Sequence, residues 1–174
     1  MMRFEGRVYF DFVNPAVWWF YRFLTVASKA GADLRMDWRP FDTHGDIPDR
    51  RALASYVAVR EEYPERHGAY LQALLALRHH QGADLGHADT LAAAADAARV
   101  AAPSVANVEW FDKVAESTLE GRKLGVSRTP TLYRHGPVLH VDTNMAALSG
   151  DVIERLRLID GVLGDDGIWG LAKP

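Results

Sequence analysis

The sequence predicts an α/β fold in which an all-helical block separates two strand-bearing parts. Three observations lead there. Two alternating apolar and polar segments near the N-terminus flank one apolar helix. Residues 50 to 102 contain only helical patterns. The C-terminal third then reads as helix, two short strands and helix.

Arg7 to Val13 (RVYFDFV) sets Val8, Phe10 and Phe12 on one face of a strand, and Asn14-Pro15 supplies a helix start. From Ala16 to Ala30 the helix is apolar nearly all round, which predicts cover on most sides, and Gly31 stops it. Leu34 to Phe41 alternates Leu34, Met36 and Trp38 with Arg35, Asp37 and Arg39, so a second, half-buried strand follows. Strand, crossover helix and strand make a parallel βαβ unit.

A polar loop is expected from Asp42 to Asp49. The helical block after it breaks at Pro64, around Gly82 to Gly86, and at Pro103; its Ala-rich runs are helix formers. Val108 to Leu124 is amphipathic, Thr131 to Tyr133 and Val138 to Val141 are short strands joined at Gly136, and 150 to 163 is the last helix.

The 174 residues are enough for one domain, or for a small fold with an inserted lobe. With 48% hydrophobic and 25% charged residues and a net charge of −3, the chain lacks the basic surplus that phosphate binding demands, so nucleic acid is not expected as a partner. The longest apolar run, Trp18 to Leu24, is interrupted by Arg22 and is far shorter than the roughly 20 residues of a membrane span. The N-terminus has no charged-then-apolar signal region, so a cytoplasmic location is expected. There is no cysteine, which removes disulfides, thiolate metal sites and thiolate nucleophiles together.

Three segments carry a family resemblance. FDFVNPAVWW at 10 to 19 resembles the strand-to-helix turn of DsbA-type thioredoxin-fold proteins, with Asn14, Pro15, Ala16 and Val17 where that superfamily has Cys-Pro-x-Cys. LGVSRTPTLYRHG at 124 to 136 resembles its cis-proline segment, with Pro130 as the proline. The tail, GPVLHVDTN and then GDDGIWGLAKP, is similar to the mycothiol-dependent nitroreductase-like branch, whose neighbours include kappa-class glutathione transferases and 2-hydroxychromene-2-carboxylate isomerases. The resemblance implies a thioredoxin-like domain over 1–49 and 104–174, with a helical insertion over 50–103. It also implies a cis Thr129-Pro130 bond whose exposed backbone edge pairs with a thiol peptide, mycothiol or glutathione, as cofactor.

Candidate site residues follow from both readings. Asn14, at a helix start, can donate from its amide to a developing anion, or simply cap the helix. His44 and Asp42, in the loop after the second parallel strand, are an acid–base candidate pair, or a solvated loop pair. Pro15, Trp18, Arg128, Thr129 and Pro130 are the candidate substrate contacts: Trp18 as a flat wall, Arg128 for an anionic group. Asp11 receives no catalytic role. Adjacent histidines on a helix point about 100° apart, so His79-His80 with His87 makes a poor metal set.

The expected function is an enzyme acting on a conjugated or aromatic small molecule, free or carrier-bound, most directly a cis-trans isomerase, and expected as a homodimer. Alternatives are a redox-dead ligand-binding or scaffold protein, a thiol-dependent transferase and a nitroreductase-like enzyme. A titratable cleft lining marks the enzyme; a dry apolar lining marks the scaffold.

Overall fold

A computed structural model describes residues 2–136, 138–142 and 151–164. Strand β1 (Arg3–Phe10) is followed by helix α1 (Pro15–Lys29) and strand β2 (Asp33–Pro40). Helices α2 (Ile47–Glu62), α3 (His67–His79) and α4 (Ala88–Ala98) come next. Then α5 (Val108–Lys123), β3 (Thr131–Tyr133), β4 (Val138–His140) and α6 (Val152–Gly164) complete the chain.

The four strands lie in the order β2-β1-β3-β4. β1 runs parallel to β2, with Val8 opposite Trp38, and antiparallel to β3, with Val8 opposite Leu132. β3 and β4 are antiparallel around Leu132 and Leu139. The period-2 pattern of β1 divides its side chains between two apolar clusters: Phe4, Val8 and Phe10 enter the main core with Val17, Phe20 and Phe23 of α1, whereas Tyr9 packs on the other side with Phe41 and Val126. A close approach of α5 at Gly121 makes the second cluster possible, because a Cβ there would stand 2.9 Å from Tyr9 Cε1. In the helical block α3 packs on α4, and α2 packs on both α5 and α3.

β1 starts earlier than expected, at Arg3 rather than Arg7, and two further element limits differ for a side-chain reason. β1 ends at Phe10 rather than Val13, because the Asp11 carboxylate takes the Val13 and Asn14 N–H groups and turns the chain. The loop after β2 is shorter than expected, because Ile47-Pro48 opens α2 with the proline where a helix needs no N–H donor. Asp49 therefore belongs to the first turn of α2, not to a loop. The tail segment from 165 to 174, used for the finer resemblance, lies outside the described residues, as do Thr143 and Asn144. Among the described residues no helix is long and apolar enough to cross a membrane.

Candidate functional site

The turn from β1 into α1 is the centre of the candidate site, and its residues are held by an unusually full set of bonds. Asp11 is completely buried. Its Oδ1 accepts the N–H groups of Val13 (3.1 Å) and Asn14 (2.8 Å). Its Oδ2 accepts the hydroxyls of Thr43 (2.7 Å) and Thr129 (2.6 Å). Four donors thus occupy the carboxylate's lone-pair positions, and one side chain ties together the α1 turn, the loop after β2 and the cis-proline loop.

Asn14 performs two structural tasks at once. Its Oδ1 accepts the Ala16 N–H (2.9 Å), which caps α1, and its Nδ2 donates to the Thr129 carbonyl at 2.6 Å. Thr129-Pro130 is cis, and the juxtaposition of Asn14 with this loop is direct. Thr129 is 1% exposed and its carbonyl is engaged by Asn14, so the backbone edge expected to receive a thiol peptide is already partnered on its acceptor side. Pro130 is also buried, and its carbonyl accepts the Val141 N–H at 3.0 Å. Val17, at the fourth position of the altered motif, lies fully in the core.

The remaining sequence candidates are dispersed. Pro15 is exposed at the start of α1. Trp18 stacks on Tyr21 at 6.4 Å and packs against the main core, while Trp19 is exposed; Arg22 lies over both indoles. Arg128 is exposed on the cis-proline loop, and its carbonyl accepts the Thr131 hydroxyl at 2.7 Å. Its charge acts on His140 of β4, whose pKa is lowered by burial and then by Arg128. Asp42 and His44 do not form the expected dyad. The Asp42 oxygens are taken by the Gly45 N–H (2.7 Å) and by Arg50, and His44 stands exposed.

A cavity of about 400 Å³ opens on the other side of the same turn. Phe12 and Val13 form one wall, Pro48 and Asp49 at the start of α2 another, and Arg78 and Leu85 the side towards α3 and α4. Asp46 and Asp84 complete the lining. Neither Trp18 nor Arg128 contributes to it.

Asp49 is the unusual group in this wall. It is 3% exposed; Oδ1 accepts the Phe12 N–H at 3.0 Å, and the buried Oδ2 has no partner. Burial pushes its pKa up to about 7, helped by the charge of Asp11 and more weakly by Asp42 and Asp46, and opposed only by the Phe12 N–H bond. His79, at the end of α3, lies against the Phe12 backbone with its Nε2 buried and unpartnered. Burial lowers its pKa. Two unsatisfied titratable atoms therefore flank Phe12.

Sequence patterns do not single out Asp49 and His79, for a clear reason. Asp in the first turn of a helix is favourable in its own right, so Ile47-Pro48-Asp49 reads as an ordinary helix start. In sequence His79 stands out only beside His80 and His87. In the structure His80 is exposed, and His87 sits 3.4 Å from Asp84.

No protein-family model matches the sequence, and no curated protein matches it. Solved structures do. The catalytic domain of Proteus mirabilis ScsC is 17% identical with a TM-score of 0.66, over 88% of this chain and 83% of that one. A periplasmic thioredoxin-like protein from Salmonella enterica serovar Typhimurium is 16% identical with a TM-score of 0.67, over 88% and 84%. The thiol-disulfide exchange protein alpha-DsbA2 from Wolbachia pipientis is 15% identical with a TM-score of 0.63, over 91% and 81%. Against Proteus mirabilis ScsC in its compact conformation, the chain spans 66% of that protein's length. At these identities the likeness is one of fold: the chain has an α/β thioredoxin fold with an inserted helical lobe, similar to DsbA- and ScsC-type proteins, and has no cysteine.

Proposed function

We propose that the chain is a non-redox enzyme acting on a conjugated or aromatic small molecule, most directly a cis-trans isomerase, with its site in the cavity between the Phe12–Val13 turn and the helical lobe. The observation that carries this reading is the lining of that cavity. Phe12, Val13, Pro48 and Leu85 offer apolar surface to a flat ligand, while Arg78 and a half-satisfied Asp49 add groups that can respond to a change of charge. A site used only to hold an apolar ligand has no need of a buried, unpartnered carboxyl beside it.

Isomerisation requires the π-bond order of the substrate to fall transiently. A nucleophile can add reversibly, or charge can be drawn along the conjugated system and stabilised. The chain contains no thiol to add. The Asn14 clamp on the Thr129 carbonyl supports the second route, since it engages the acceptor a thiol peptide would use. On this reading Arg78 and Asp49 polarise the ligand from opposite signs, and Asp11 and Asn14 keep the Phe12–Val13 wall rigid.

The test is a screen of conjugated and aromatic compounds for binding, observed at the Val13 amide by NMR. Separated cis and trans forms of each hit are then incubated with protein and analysed by chromatography. Interconversion faster than with heat-denatured protein is expected. Ligands that bind at Val13 and are recovered unchanged in every case would reduce the protein to a binding module.

A further inference from the structure

The Asp49 carboxyl has one oxygen too many for its structural role. Oδ1 alone meets the Phe12 N–H and joins α2 to the end of β1. Oδ2 is buried and has no partner among the described residues, and Asp49 lines a cavity large enough for a small ligand. A buried carboxylate oxygen without a donor is costly, and no group among the described residues uses this one.

The charges that act most on its ionisation are of one sign. Asp11 on the β1–α1 turn, Asp42 after β2 and Asp46 before α2 all act on Asp49 as negative charges. Asp84, between α3 and α4, adds a fourth carboxylate to the surroundings. Three of the five are satisfied: Asp11 by four donors, Asp42 by Gly45 and Arg50, and Asp84 by the Gly86 N–H (2.8 Å) with His87 beside it. On α3, Arg78 is the cation of the lining, and its guanidinium reaches for the Ala83 carbonyl at 3.5 Å. His79 is driven towards its neutral form by burial. Asp46 makes no capping bond. The buried acceptor of the cavity without a donor among the described residues is thus Asp49 Oδ2, with the exposed Asp46 nearby, next to the apolar surface of Phe12, Val13, Pro48 and Leu85.

We infer that the cavity selects a small molecule with an apolar body and a protonated amine, the Asp49 carboxyl turning towards the cavity so that Oδ2 accepts from the ammonium group. The inference rests on the small-molecule reading of this cavity and adds the charged group by which its ligand is chosen. An ammonium donor supplies what the site lacks, a hydrogen bond for Oδ2 and a positive charge among carboxylates. A carboxylate ligand facing the ionised Asp49 would add to the repulsion and leave Oδ2 unsatisfied. Because the ammonium needs the ionised carboxylate, binding and the ionisation of Asp49 are linked reciprocally.

The probes are benzylamine, benzyl alcohol and benzoate, with binding followed at the Phe12 and Val13 amides of the intact protein. Benzylamine is expected to bind tightest, and to bind at least about tenfold more tightly at about pH 8 than at about pH 5, a range over which it stays protonated. Benzyl alcohol should change little over that range. Asp49→Asn should remove most of the benzylamine preference, whereas Asp46→Asn should weaken it by only about twofold. A flat pH response of benzylamine in the unaltered protein overturns the inference without recourse to any variant. So does benzoate binding as tightly as benzylamine, or an Asp46→Asn effect as large as that of Asp49→Asn. Amine binding through Asp49 with no isomerisation of any ligand leaves the inference standing and removes the catalytic reading; turnover of conjugated ligands with no amine preference does the reverse.

Discussion

Replacing Asp49 by Asn is expected to stabilise the protein at alkaline pH and to bring no gain in acid. The carboxyl titrates near its usual value of 3.8 in the unfolded chain and at about 7 in the folded one, because burial and the charge of Asp11 disfavour the ionised form. As pH rises, the unfolded chain therefore releases this proton first. The stability associated with Asp49 is highest below about pH 4, declines between about pH 4 and pH 7, and is lowest above that. At about 1.4 kcal/mol for each unit of pKa, the full cost of ionisation in the fold is about 4 kcal/mol.

Asn keeps the acceptor for the Phe12 N–H, now at 3.0 Å, and abolishes the charge. It also places an amide donor where Oδ2 had no partner, at a cost of about 1 to 3 kcal/mol. The expected balance is a gain of about 1 to 3 kcal/mol at about pH 8 and a loss of about 0.5 to 2.5 kcal/mol at about pH 4. Urea unfolding of both proteins across this range measures it, with the slope checked so that changes in midpoint report stability alone. Parallel stability curves for the two proteins, or a destabilised variant at pH 8, would refute the assignment of Asp49 as a buried, uncompensated acid.

Three further outcomes follow from bonds and contacts of the site. Asn14→Ala removes both the α1 cap and the clamp on Thr129, and should cost about 1 to 2 kcal/mol in thermal or urea unfolding; an unchanged melting temperature would mean that water replaces both bonds. Gly121→Ala pushes a methyl to within 2.9 Å of Tyr9 and 3.0 Å of Phe41, so a net loss of about 1 to 2 kcal/mol is expected although alanine is the better helix former. The protein should not reduce insulin faster than the thiol reductant supplied with it, because the chain has no sulfur nucleophile; catalytic precipitation of insulin B chain would contradict this.

Local patterns revealed the fold because the elements that define it are short and strongly patterned. Val8 and Phe10 alternate with Tyr9, Pro15 opens α1, and Thr129-Pro130 precedes β3, so each boundary is encoded within a few residues of itself. The meeting of Asn14 with Thr129, 115 positions apart, was legible only through the two motifs of the resemblance. The cavity left no such mark. Its lining comes from the β1–α1 turn, the start of α2, the end of α3 and the loop before α4, and no periodicity links those places. Asp42 and His44 attracted attention through proximity in sequence, yet Arg50, one turn into α2, claims the Asp42 carboxylate. Once α2 begins at Ile47, Arg50 and Asp49 point to different partners from adjacent positions, and which acid is neutralised depends on that register.

Asp11 and Asp49 differ in how far structure alone accounts for them. Both are buried and close enough for the charge of Asp11 to act on Asp49. Asp11 has four donors and joins three segments of chain, so its removal would loosen the turn itself. Asp49 has one donor, and an asparagine would keep that bond without the charge. Structural need thus accounts for Asp11 completely and for only half of Asp49. Burial and the charge of Asp11 disfavour the ionised form of Asp49 in the fold, and the group lines an open cavity, where sites of function commonly sacrifice stability. The stability gained by Asp49→Asn and the loss of ligand selectivity in the same variant should therefore appear together, and should follow the same titration with pH.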